Sequence, residues 1–186
     1  MNETIRSIMS RRSTRAYRQE QIKDDELEAI IEAGIYAPSA SNLQPWHFSV
    51  IQKKGLLDRL NDDFITFAKQ SDIEYYRKFG NTENFHVFYN APTVIILSGD
   101  ENSRMAVTDT AAAAQNILIA AESLNIGSCW IGLINLVFGS KKGPEYYGEI
   151  GIPDGYKFMN AIALGYKSDK PAYAPARKEN IINYVK

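Results

Sequence analysis

Ala37-Pro38-Ser39-Ala40-Ser41-Asn42-Leu43-Gln44-Pro45-Trp46-His47-Phe48 marks the point where a helical period gives way to a strand. Upstream, Leu27, Ile30, Ile31 and Ile35 recur at helical spacing, with Asp24 or Asp25 placed to N-cap them. That helix must stop before Pro38, because a residue ahead of proline is driven towards extended backbone. Downstream, Trp46 to Ile51 alternates as a strand. Between the two, Pro38 and Pro45 hold an extended path, and Ser39, Ser41, Asn42 and Gln44 present hydroxyls and amides from it. Such a loop suits the polar edge of a flat ring. A plain helix-to-strand connection with local Asx and Ser turns has the same composition.

Towards the N-terminus, Glu3 to Ser10 reads as a short amphipathic helix that runs into Arg11-Arg12-Ser13-Thr14-Arg15. Guanidinium groups are planar forks of donors that match phosphate oxygens, and hydroxyls complete such a cradle. The same cluster also fits a cationic helix C-terminus that complements the helix dipole.

Towards the C-terminus, Leu56 to Gln70 is helical, and Ser71 to Tyr89 is aromatic and polar with no clean period. Thr93 to Ser98 reads as a buried strand. Ser103 to Asn125 is the longest helix, apolar on most sides and therefore central. Ser128 to Ile131 is a strand, Gly132 opens a turn into Leu133 to Gly139, and Phe158 to Tyr166 is the last clear strand. The tail holds Pro171, Pro175 and a final apolar set, Ile181, Ile182, Tyr184 and Val185. Helices come first, then strands separated by helices. That order predicts a mixed α+β sheet packed with helices, not a βαβ series, in a single domain over residues 1–186.

Bulk properties narrow the function. A net charge of -1 argues against a general nucleic-acid binder, since the basic cluster is local. Cys129 is the sole cysteine, which excludes an internal disulfide. With no signal sequence evident, the expected setting is reducing and cytoplasmic. The longest apolar stretch, Ala111 to Ala121, is interrupted by Gln115 and Asn116 and is too short for a bilayer, which needs about 20 residues.

Among the remaining candidates, the glycines of Gly127-Ser128-Cys129-Trp130-Ile131-Gly132 allow backbone to approach a flat ligand. Arg177-Lys178 is a second candidate for phosphate, or else a solvated tail. His47 and His86 stand alone, without metal-ligand spacing. Cys129 reads as a small core residue, and Asp109 as a cap or partner within the helix bundle. No Gly-rich dinucleotide fingerprint occurs, so NAD(P)H is not expected in a Rossmann crevice. The aromatics of residues 71–88 either gate a ligand space or fill it.

Together these segments resemble the nitroreductase family of FMN enzymes over nearly the whole chain. Residues 11–15 resemble its phosphate motif, and Ala37 to Phe48 its hallmark loop and strand. Asp109-Thr110-Ala111-Ala112-Ala113-Ala114-Gln115-Asn116-Ile117-Leu118 resembles its central helix, and Pro175-Ala176-Arg177-Lys178 its C-terminal phosphate contact. The resemblance implies a mainly antiparallel mixed sheet surrounded by helices, in a homodimer with exchanged tails and FMN at the subunit interface. Arg11, Ser13 and Arg177 match phosphate contacts, with Arg12 alongside. Arg15 matches a cation near the flavin pyrimidine. Pro38, Ser39, Ala40 and Asn42, with Gln44 beside them, match a loop lent by the second subunit. Ile131 and Gly132 match backbone N–H groups that face N5 and O4. A further amide contact, with Asn61 and Gln70 as candidates, is left unassigned. The implied activity is NAD(P)H-dependent, two-electron, ping-pong reduction of small electron-poor acceptors such as nitroaromatics and quinones. The alternatives are another flavin enzyme of the same fold, or an FMN-binding or regulatory protein with little turnover.

Overall fold

Strand β2 (Thr93–Asp100) organises the computed structural model, which describes residues 1–168 and 174–186. Pro171 lies outside the described residues. β2 pairs antiparallel with β1 (Trp46–Ile51) on one side and with β4 (Tyr156–Tyr166) on the other. β3 (Ile126–Trp130) joins β4, also antiparallel, which gives the order β1-β2-β4-β3. A parallel bridge between Ser13 and Ser128 lays the N-terminal segment along β3. The sheet is thus antiparallel throughout its named strands, and the mixed character reduces to that one bridge.

β2 is buried from Thr93 to Gly99 because helices cover both faces of the sheet. Its side chains alternate between the two. Ile95 and Leu97, with Ile162 and Leu164 of β4, meet α2 (Asp24–Ile35) and α5 (Ala106–Ser123). Val94 and Ile96, with Ala161 and Ala163, meet α3 (Lys54–Gln70), α6 (Asn135–Phe138) and α7 (Gly143–Glu149). α5 is the central helix expected, buried at Ala113, Ala114, Ile117, Leu118 and Ala121. Gly34 lets α2 approach it, since a Cβ there would lie 2.8 Å from Ile117.

Local details depart from expectation for identifiable reasons. The N-cap of α2 is Lys23, not Asp24 or Asp25. The Glu26 carboxylate accepts the Lys23 N–H at 3.2 Å, and the acidic run occupies the first turn, where it complements the dipole. α4 (Glu74–Gly80) forms where no period was visible, because its aromatics pack edge-on against one another instead of along one stripe. α7 was likewise unannounced. β3 begins at Ile126, with Asn125 in a left-handed conformation ending the preceding turn, and stops short of Ile131.

Candidate functional site

Helix α1 (Glu3–Ser10) delivers the Arg-rich segment to the β3 edge. Arg12 folds back on the helix: its Nη1 donates to the carbonyls of Met9 and Arg11, both at 2.7 Å. This guanidinium therefore serves the helix C-terminus. Arg11 is different, because its Nη1 is buried and has no partner among the described residues. An orphaned guanidinium N–H is costly in a closed interior, so it is poised for an anion. Ser13 and Thr14 lie against β3, with the Thr14 N–H donating to Ser128 O at 2.9 Å. Gly127 makes the approach possible, since a Cβ there would sit 2.8 Å from the Thr14 side chain.

Beyond this segment opens a cavity of about 590 Å³. One wall is Arg15 with Tyr75, Tyr76, Phe79, Phe85 and Tyr89. The other is the backbone run from Cys129 to Leu133. Arg15 donates from Nε to the Tyr89 hydroxyl at 3.3 Å, and its guanidinium lies 5.7 Å from the Tyr89 ring centroid. That hydrogen bond raises the Arg15 pKa further. Burial pushes the Cys129 thiol up, against opposing pulls from Arg15, a Ser13 hydrogen bond and Arg11, so it stays a protonated core thiol.

The backbone wall supplies donors. A Cβ on Gly132 would meet nothing within 4 Å, so the space in front of this residue is open. Among the described residues, the N–H groups of Gly132 and Leu133 have no acceptor. The Ile131 N–H does have one: it donates to Ala161 O at 2.8 Å as a continuation of the ladder. Of the expected pair Ile131 and Gly132, the Ile131 N–H is thus taken up within the sheet, while Gly132, with Leu133 after it, keeps an open N–H among the described residues.

The loop over residues 38–45 sits at the opposite edge, leading into β1. It contains a short 3₁₀ turn, Ala40–Asn42, and is exposed at Pro38, Ser41, Asn42, Leu43 and Gln44. Ser41, Asn42 and Gln44 all have positive φ, at 51°, 54° and 48°. Non-glycine residues in this region cost about 1–3 kcal/mol each and persist only where the surroundings over-determine them. The determinants are visible. The buried Asp109 carboxylate of α5 accepts the Ala40 N–H at 3.2 and 3.3 Å. Ser39 Oγ accepts the Gln44 N–H, and Asn42 Oδ1 accepts from the Gln44 side chain, both at 3.0 Å. Asp109 therefore clamps this loop; it does not pair within the helix bundle.

A model of the "Nitroreductase family" matches residues 8–166. The chain belongs to the nitroreductase family. A nitroreductase with bound FMN from Bacteroides fragilis is 35% identical, with each chain covered over 100% and a TM-score of 0.93. Another with bound FMN, from Desulfitobacterium hafniense, is 31% identical over 100% of both chains, with a TM-score of 0.91. The NADPH-flavin oxidoreductase of Vibrio harveyi is 25% identical across 98% of this chain and 73% of its own length.

In this member of the family, one chain brings together Arg11, Ser13, Arg15, Ile131 and Gly132 at the β3 edge. It leaves Pro38, Ser39, Ala40, Asn42 and Gln44 at the β1 edge. Three strand spacings, about 14 Å, separate those edges. Arg177 lies exposed in the C-terminal tail. Asn61 has a structural task, accepting the Val87 N–H at 2.9 Å, and Gln70 is exposed at the end of α3. His86 accepts the Phe88 N–H, as a hydrogen-bonded histidine should. Leu133 and Tyr89 line the same cavity. Leu133 gives no sequence signal there, because what it offers is its backbone N–H. Tyr89 follows directly on the aromatic run 71–88, and its place just before Asn90-Ala91-Pro92 marks a turn. Among the described residues, no cluster of three or more His, Cys, Asp or Glu could hold a metal, and no helix is long and apolar enough to cross a membrane.

Proposed function

We propose that the chain is an FMN-dependent oxidoreductase that takes electrons from NAD(P)H and passes them to small electron-poor acceptors such as nitroaromatics and quinones. The observation that carries this reading is the cavity itself, lined both by the Arg15 cation and by the open Gly132 and Leu133 N–H groups. A flat ring with carbonyl and imine acceptors and an electron-rich reduced form fits that pattern. Arg11, with its unpartnered buried nitrogen, and Ser13 would hold a terminal phosphate, which favours FMN over a dinucleotide. FMN supplies the hydride chemistry when bound, while the protein supplies position and charge. The FMN-bound relatives and the flavin oxidoreductase of Vibrio harveyi support the assignment.

Homodimerisation belongs to the same reading. The strained loop around Ala40 needs a purpose that its own subunit's cavity, at the other sheet edge, does not offer. The tail leaves Ile181, Ile182, Tyr184 and Val185 between 66% and 98% exposed. Both are accounted for when each chain lends its loop to the other's flavin and its tail to the other's surface.

The α4 aromatics border the cavity without filling it, which favours turnover over mere flavin storage. Donor and acceptor then use one space in succession, so steady-state kinetics should be ping-pong. Anaerobic stopped-flow mixing tests the whole proposal. Bound flavin should bleach with NADH or NADPH, and colour should return on adding a nitroaromatic or quinone. Saturated flavin that bleaches with neither nucleotide would leave a binding protein instead.

A further inference from the structure

Arg15 enters the cavity as an exposed side chain with one hydrogen-bond partner among the described residues, the Tyr89 hydroxyl. Among the described residues, the groups that bear on its charge are Tyr89, Cys129 and Tyr17, none of them a carboxylate. Its positive charge is therefore left for whatever occupies the cavity. Because Tyr89 engages Nε, the two terminal amino groups of the guanidinium remain directed elsewhere, as an open fork of donors.

Tyr89 holds this post at a conformational cost. Its φ is 55°, and that of Asn90 is 56°. A bulky side chain in the left-handed region is a genuine outlier. The surroundings enforce it. Tyr89 N–H donates to His86 O at 2.8 Å, and Ala91 N–H to Phe88 O at 3.1 Å. Phe88 N–H donates to His86 Nδ1 at 3.2 Å, and Val87 N–H to Asn61 Oδ1 at 2.9 Å. Phe85 meets the Tyr89 ring edge-on, with centroids 5.9 Å apart. Five contacts converge to aim one phenol at one guanidinium.

We propose that Tyr89 is a positioning residue that, acting through Arg15, fixes the guanidinium against the anionic edge of reduced flavin and so raises the flavin's reduction potential. The inference rests on the FMN reading above and names the residue that tunes that site. A cation held at short range favours the more negative redox state, and its effect fades when the side chain is free to swing into solvent.

The test is a spectroelectrochemical titration of FMN-loaded protein, alongside binding of oxidised FMN to the apoprotein. Tyr89→Phe keeps the ring and its Phe85 contact and removes only the hydroxyl. Oxidised FMN should bind almost as tightly as to wild type, while the reduced form binds roughly tenfold more weakly. That lowers the two-electron midpoint by about 30 mV. Arg15→Lys retains charge but has no Nε to anchor, and should lower the midpoint in the same way should Tyr89→Phe fold poorly. In an Arg15→Gln background, adding Tyr89→Phe should change nothing further. An unmoved midpoint in Tyr89→Phe, or an equal shift with and without Arg15, overturns the positioning role alone. Failure of the wild-type chain to bind FMN overturns the flavin reading and this inference together.

Discussion

Gly132→Ala separates a ligand-facing glycine from a structural one. A Cβ at this position meets no atom within 4 Å in the chain, so the fold has room for it. Replacing glycine in a compatible conformation reduces the entropy of the unfolded state and stabilises by about 0.4–1 kcal/mol. The apoprotein should therefore be unchanged or slightly more stable in urea unfolding. Ligand binding should respond in the opposite direction. A flavin acceptor must come within about 3 Å of the Gly132 N–H, and the new methyl occupies the space on that approach. Forcing an extra carbon into a filled site costs about 1–3 kcal/mol. That corresponds to roughly 5- to 150-fold weaker FMN binding, read by quenching of flavin fluorescence. Gly55→Ala, on α3 and likewise with no neighbour within 4 Å, is the control: it should gain stability and leave FMN affinity alone. The reasoning fails if Gly132→Ala binds FMN within about twofold of wild type at unchanged stability, because the open space would then not be the flavin's.

Arg11→Ala should weaken FMN by roughly 1.5–3 kcal/mol, the range for a charged hydrogen bond, measured by the same titration. Asp109→Ala removes the carboxylate that anchors Ala40 and should cost about 1.5–3 kcal/mol of stability, with FMN affinity falling alongside as the 38–45 loop relaxes. His86 has its pKa lowered, chiefly by burial and against the pull of Asp58. The folded state then binds fewer protons than the unfolded one, so stability falls as pH drops below about 6.5, with a slope of at most about 1.4 kcal/mol per pH unit. Urea titrations of His86→Asn should show a shallower dependence there. Deletion from Ile181 onward should lower the dimer mass seen by light scattering and the bound flavin together; a truncated chain that stays dimeric and yellow would contradict the exchanged tail.

The sequence alone carried the α+β class, the central helix, all four strands to within two residues and the place of the Arg cluster. Those features are local: apolar periods, proline breaks and charge spacing act over a few neighbouring residues. Helix α4 stayed hidden, because its aromatics satisfy one another in a cluster and leave no periodic stripe. Motif resemblance named Arg11, Arg12 and Arg15 together, yet the fold gives them three tasks. Arg12 closes a helix end, Arg11 keeps a buried N–H unpaired among the described residues, and Arg15 leans on Tyr89. Partition among identical guanidinium groups depends on which carbonyl or hydroxyl the tertiary structure brings within 3 Å or so, and those partners are up to 74 positions apart in the chain. The same holds for backbone donors. Nothing in Ile131-Gly132-Leu133 reveals which N–H the sheet consumes. β4 decides it, by placing Ala161 O against Ile131 and leaving the next two amides open. Residue type sets what chemistry a position can offer, and long-range register sets which of those offers remains unspent.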